Sequence, residues 1–206
     1  MVARDVGEAL AALRADPKSE LLAGGTDLMV EVNFGRKRVE NVIALDRVDE
    51  LRQFDIASRV RVGGGITYTH LLRASAGSVA LSEASRTVGS PQIRNVGTIG
   101  GNVATSSPAG DTLPVLAALD ASITLRSSSG ERHVPFGEFM TGPKRNTRAH
   151  DEIVVALEWD DAGLSQAFLK VGTRNAMVIA VASLALVVDR ARRRVGVALG
   201  SCGPTI

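Results

Sequence analysis

The chain has 206 residues, 45% hydrophobic and 22% charged, with 24 Lys and Arg against 22 Asp and Glu. That length allows a substantial apolar core without disulfide staples, and the composition excludes a disordered or collagen-like chain. A formal charge of +2 with only 3% aromatic residues leaves neither the basic surface nor the stacking platforms that nucleic acid requires.

In chain order, the first predicted element is a helix. Asp5 and Glu8 make a capping-box-like start, Val6, Ala9, Leu10 and Leu13 recur at helical spacing, and the pattern ends before Pro17. Leu21 and Leu22 lead as a short strand into Gly24-Gly25-Thr26, and residues 27–34 read as a helix stopped by Gly35. Residues 39–46 form an apolar run suited to a buried strand. Together these predict a small α/β lobe over residues 1–55.

A second lobe, α+β with a largely antiparallel sheet, is predicted over residues 56–195. It opens with an alternating strand at 59–62, followed by Gly63-Gly64-Gly65 and a helix at 69–74. Further helices are expected at 81–87 and 113–119, and strands at 122–126, 133–135, 153–159, 168–171, 180–188 and 195–199. The last two strands flank Arg192-Arg193-Arg194 and should pair as an antiparallel hairpin. That arginine run, like Arg36-Lys37-Arg38, reads as a solvated turn.

Cys202 is the only cysteine, so this chain alone can build no disulfide, cysteine zinc site or iron–sulfur cluster. A reducing cytoplasm fits. The polar, alanine-rich N-terminus does not read as an export signal, and no segment reaches the roughly 18 apolar residues of a membrane span.

Two glycine-rich segments carry the chemical signal. In Leu21-Leu22-Ala23-Gly24-Gly25-Thr26-Asp27-Leu28, paired glycines free backbone N–H groups for close approach and a helix starts behind them. That suits a phosphate or diphosphate, although the same residues also make a competent helix entry. The second segment, Asn95-Val96-Gly97-Thr98-Ile99-Gly100-Gly101-Asn102, reads as another such turn, with Asp111 downstream as a helix cap or as an acceptor for a ligand hydroxyl. Neither is a Gly-x-Gly-x-x-Gly or Walker sequence, which removes support for a Rossmann nicotinamide site and a P-loop. His70, His133 and His150 are scattered without metal-ligand spacing, and no Ser-His-Asp arrangement suggests itself.

The segments Ala23 to Leu28, Ser90 to Asn102 and Ser107-Pro108 to Asp111 to Pro114 closely resemble the FAD-binding medium subunit of the molybdenum hydroxylase family, as in carbon monoxide dehydrogenase and the matching domain of xanthine dehydrogenase. The resemblance continues through Thr141-Gly142-Pro143, Asp151-Glu152-Ile153 and Lys170-Val171-Gly172 to Arg174-Asn175-Ala176. It implies a two-lobed PCMH-type fold, like vanillyl-alcohol oxidase and MurB, holding FAD non-covalently between the lobes. The implied cofactor positions are Leu21, Leu22, Ala23, Gly24, Gly25, Thr26, Asp27, Leu28, Thr98, Ile99, Gly100, Gly101, Asn102, Asp111, Val154 and Lys170. Lys170 would stabilise negative charge on a reduced flavin. No catalytic residue and no metal ligand is implied on this chain.

The partners implied are a large subunit with molybdenum cofactor and a small subunit with iron–sulfur clusters, whose electrons this chain would pass to an external acceptor. The pattern departs from the family at Val88, where some relatives carry an aromatic, and at Val178, where many carry an aspartate. Residues 196–206 resemble the stub of a C-terminal domain that relatives continue, so an exposed apolar face is expected. Two rivals are a remnant that docks to partners without retaining flavin and a stand-alone FAD oxidase or reductase. Flavin retention separates the first rival from the leading reading, and unaided turnover of a small molecule would mark the second.

Overall fold

A computed structural model of the protein describes residues 1–74, 78–160 and 163–206. The small lobe comes first in the chain. Helix α1 (Val6–Ala15) starts at Asp5, whose carboxylate accepts the Glu8 N–H at 2.7 Å, while the Glu8 carboxylate accepts the Arg4 N–H at 2.8 Å. Strand β1 (Glu20–Leu22) is followed by helix α2 (Leu28–Asn33) and by β2 (Val42–Ala44), which pairs in parallel with β1. β2 is shorter than the run at 39–46 because its register with β1 covers only Val42 to Ala44. The apolar face of α1 packs on Ile43, Leu45, Val48 and Leu51, the last carried by a 3-10 turn at Asp49–Arg52.

The large lobe begins with β3 (Phe54–Ile56), which the sequence reading does not contain, and β4 (Arg59–Gly63). Among the described residues, five helices follow: α3 (Tyr68–Ala74), α4 (Val79–Thr87), α5 (Pro91–Val96), α6 (Ile99–Thr105) and α7 (Leu113–Ala118). Then come β5 (Ser122–Ser127), β6 (Gly130–Pro135), α8 (Phe136–Phe139) and the small pair β7 (Met140–Gly142) and β8 (Arg145–Asn146). The chain ends on β9 (Ile153–Asp160), β10 (Ser165–Val171), β11 (Ala182–Asp189) and β12 (Arg194–Gly200).

Two antiparallel sheets dominate this lobe. One has the order β3-β4-β9-β5-β6 and the other β10-β11-β12, so the expected hairpin of the last two strands forms. β9 joins the lobes. Its nearly unbroken apolar run is buried on both faces: Ile153 and Val155 complete the small core, while Val154, Leu157 and Trp159 belong to the large one. The alternation of β11 is equally direct. Ser183, Ala185 and Val187 are buried beneath α7, and Leu169 of β10, Leu184 and Leu199 of β12 stand side by side on the outer face.

The segment read as a second glycine turn is mostly helical, which corrects that expectation. Ser90 caps α5 by accepting the Ile93 N–H, Pro91 occupies its first turn, and Thr98 caps α6 by accepting the Gly101 N–H at 3.0 Å. Glycine is a poor helix residue, and the reason for it here is packing. A Cβ on Gly100 would lie 2.5 Å from the Gly64 carbonyl oxygen, so α6 can approach the turn after β4 only without one. No described helix is long and apolar enough to cross a membrane.

Candidate functional site

A cleft of about 1530 Å³ is walled by elements of both lobes. Ordinary small-molecule pockets hold roughly 300–1,000 Å³, so this one has room for an extended ligand. Fifteen of the sixteen residues named from the resemblance line it. Ile99 does not: its side chain is fully buried in the large core and its N–H donates to the Ile66 carbonyl at 3.0 Å.

The first glycine turn connects β1 to α2. Gly24 is required by packing, because a Cβ there would sit 2.0 Å from the Val96 carbonyl oxygen; Gly25 is required by its backbone, with φ +70°. Both glycines thus serve the protein's own backbone, where the sequence reading assigned them to ligand approach. What the turn offers a ligand is its amides. Among the described residues, the six consecutive N–H groups from Ala23 to Leu28 have no acceptor. A helix start leaves its first N–H groups unpaired, and with the turn amides before them they give this cleft wall a run of donors suited to an anionic oxygen.

The second segment is different in kind. Its Ile99 and Gly100 N–H groups go to Ile66 and Gly64 carbonyls at 3.0 and 2.9 Å, and that of Gly101 goes to the Thr98 hydroxyl. These amides are spent on folding and cannot form a cradle. The segment contributes Asn102 instead, whose Oδ1 accepts from Thr112 at 2.7 Å and whose NH₂ group has no acceptor among the described residues. Val154 joins this wall through the neighbouring turn: Gly64 lies so close that a Cβ would meet the Val154 carbonyl oxygen at 2.2 Å.

At the large-lobe end, Lys170 of β10 and Asp111 form an ion pair at 2.6 Å with side chains only 9% and 5% exposed. Asp111 Oδ2 also accepts the Thr87 hydroxyl at 2.9 Å, and the Thr87 carbonyl accepts from Lys170 Nζ at 3.2 Å. Asp111 therefore holds a lysine and caps no helix; Thr112 occupies the cap position of α7 and makes no side-chain cap bond. Two groups remain unused: Asp111 Oδ1 is buried without a partner, and an ammonium has three donors, of which Lys170 has spent two.

Tyr68 lines the same cleft with Thr112 fully buried behind it, and the sequence reading missed both, together with Thr87. Burial pushes the Tyr68 phenol well above its ordinary pKa, opposed by a hydrogen bond with Thr112 and reinforced by the Asp111 charge. It stays a neutral hydroxyl. Val88 and Val178 stand in the same cleft wall with Ile179, so the family departures fall where they make the wall aliphatic. Of the histidines, His70 and His150 also line the cleft, His70 lies tilted against Phe54 at 5.9 Å, and His133 Nδ1 is 3.0 Å from the Thr124 hydroxyl.

Residues 1–158 match the protein family described as the FAD binding domain in molybdopterin dehydrogenase. The chain is 36% identical to a nicotinate dehydrogenase FAD-subunit of Eubacterium barkeri, over 81% of this chain and 59% of the relative. It is 32% identical to a xanthine dehydrogenase FAD-binding subunit of Escherichia coli O157:H7, over 86% and 63%. A chain in the solved structure of carbon monoxide dehydrogenase from Hydrogenophaga pseudoflava matches with TM-score 0.92 at 29% identity, covering 99% of this chain and 74% of that one. The chain thus spans about three-fifths of the length of these curated relatives.

Proposed function

This chain belongs to the family of FAD-binding domains of molybdopterin dehydrogenases, and on that premise we propose that its cleft holds FAD non-covalently within an oxidoreductase complex. The observation that carries the reading is the run of unpartnered amides from Ala23 to Leu28. A diphosphate has acceptor oxygens and no donors, which is the complement of that run. Thr98, Gly100, Gly101 and Asn102 face it from the other wall, with the Asn102 NH₂ group free to donate.

The Asp111 and Lys170 end fits the rest of the group. Asp111 Oδ1 is an acceptor awaiting a hydroxyl or N–H, and the remaining Lys170 donor awaits an acceptor. Because Asp111 and the Thr87 carbonyl fix the ammonium, its positive charge is oriented before a ligand arrives, so little reorganisation is required on binding. Val88 and Val178 add aliphatic surface to that end, and Val154 also lines the cleft. FAD, when bound, supplies the exchange of one or two electrons; no side chain here is assigned an acid–base role.

By the names of its relatives, the chain is a flavin subunit. The proposed assembly places molybdenum cofactor on a large partner and iron–sulfur clusters on a small one, with electrons leaving to an external acceptor. The test is a visible absorbance spectrum of the purified chain before and after FAD is added, with released cofactor identified. Stoichiometric FAD released without proteolysis is expected; a chain that stays colourless with added FAD would overturn the proposal.

A further inference from the structure

We infer that Lys144 is a positioning residue for the amide run: its ion pair across the cleft to Glu31 and Asp27 holds α2 and the first glycine turn against the large lobe. The inference rests on the reading of the cleft as an FAD site. It starts from how little else secures α2. None of its residues is buried, and Met29, Val30 and Phe34 of this segment are 46%, 44% and 71% exposed. The turn runs straight into this helix, so a tilt of α2 redirects the last amides of the run.

Lys144 comes from the opposite wall. It stands between β7 and β8 with φ +54° and donates its backbone N–H to the Ser106 carbonyl at 3.0 Å. Asn146 of β8 donates through Nδ2 to the Ala104 carbonyl and the Ser106 hydroxyl, each at 2.9 Å. Ser106 closes α6, the helix that carries Gly100 and Gly101 in its first turn. The lysine is therefore anchored to the large-lobe wall and reaches the small lobe, with Nζ 2.6 Å from Glu31 Oε1 and 3.7 Å from Asp27 Oδ2. Hydrogen bonding between them holds the Glu31 carboxyl below its usual range and the Lys144 ammonium above its own, so both charges persist through neutral pH.

A simpler role competes with this one. Lys144 could act only as a local positive charge that offsets Asp27 and Glu31 beside a diphosphate. The two roles give opposite results for Glu31→Lys. If charge alone matters, removing an anion and adding a cation slows FAD release; if the pair positions the turn, two facing lysines separate it and release quickens.

The experiment measures FAD release from the reconstituted full chain for wild type, Lys144→Glu, Glu31→Lys and the double charge swap. Each single variant is expected to release FAD roughly threefold to fivefold faster, the range of a partly exposed ion pair, and the double variant to return to within about twofold of wild type. Added salt is expected to quicken release from wild type and to affect the single variants less. Slower release from Glu31→Lys, or a double variant no better than the singles, overturns the positioning role. Wild type that binds FAD alongside unaffected single variants overturns the inference alone, whereas wild type that takes up no FAD overturns the reading of the cleft with it.

Discussion

At the scale of single residues, the Lys170 and Asp111 pair concentrates the most consequence in the fewest atoms. The two are 59 positions apart in sequence, meet at 2.6 Å, and are nearly excluded from solvent. Removing one partner of such a pair leaves an uncompensated buried charge, at a cost of about 3–5 kcal/mol. Here the cost falls on a carboxylate that already has one oxygen unpartnered. Lys170→Met is therefore expected to lower denaturant stability by about that amount, and Lys170→Met with Asp111→Leu to recover most of it, because the double change removes both charges. FAD affinity should fall in both. Equal stability losses in the single and double variants would mean that the pair is not coupled as its geometry indicates. Nothing local in the sequence joins these residues: without the family resemblance, Lys170 is one strand lysine and Asp111 one residue before a helix.

At the scale of elements, what could be read from sequence depended on whether a residue's partner was local. The β11 alternation, the α1 spacing and the hairpin around the arginine run are local patterns, and each element formed close to where it was expected, β11 starting at Ala182 and not at Ala180. α6 escaped because two glycines argue for a turn, and the reason they sit in a helix lies at Gly64, far away in sequence. β3 escaped because its pairing with β4 is its main support. The site follows the same rule. The first glycine turn was legible as the link from a strand to a helix, whereas the internal use of the Ile99, Gly100 and Gly101 amides depends on tertiary contacts no local motif reports. The start of β9 supplies an element-scale prediction. Glu152, 6% exposed, accepts two bonds from Arg132 at 2.6 and 2.8 Å and one from the Ala149 N–H at 2.7 Å. The Arg132 bonds hold its carboxyl below the usual glutamate range, against the opposing effect of burial. A lowered folded pKa stabilises fully above the unfolded value of about 4.3 and is lost as pH falls through the folded one. Glu152→Gln should therefore flatten the acid limb of the stability curve below about pH 4.3, as read by denaturation midpoints. An acid limb identical to wild type would show that this glutamate does not contribute to it.

At the scale of the whole molecule, the two cores share β9 and the cleft between them, while the sheet β10-β11-β12 turns one face away from both. Its inner face packs on α7 so closely that a Cβ on Gly196 would meet the Ala118 carbonyl oxygen at 2.2 Å. Its outer face is apolar across all three strands, with Leu169, Val171, Val195, Val197 and Leu199 between 48% and 65% exposed. A continuous apolar face of this kind binds hydrophobic dyes and favours association. Because side chains alternate along a strand, the two faces can be tested a few positions apart. Val197→Glu, on the outer face of β12, should reduce dye binding and self-association while leaving the unfolding midpoint nearly unchanged. Ala185→Glu, fully buried on the inner face of β11, places a charge against α7 without a partner and should unfold the sheet, since burying an unpaired carboxylate exceeds what a domain's net stability of about 5–15 kcal/mol can readily absorb. Similar losses from both substitutions would show that the outer face is covered within the folded chain in solution, and unchanged dye binding in Val197→Glu would place the accessible apolar surface elsewhere, with the exposed side chains of α2 the next to test.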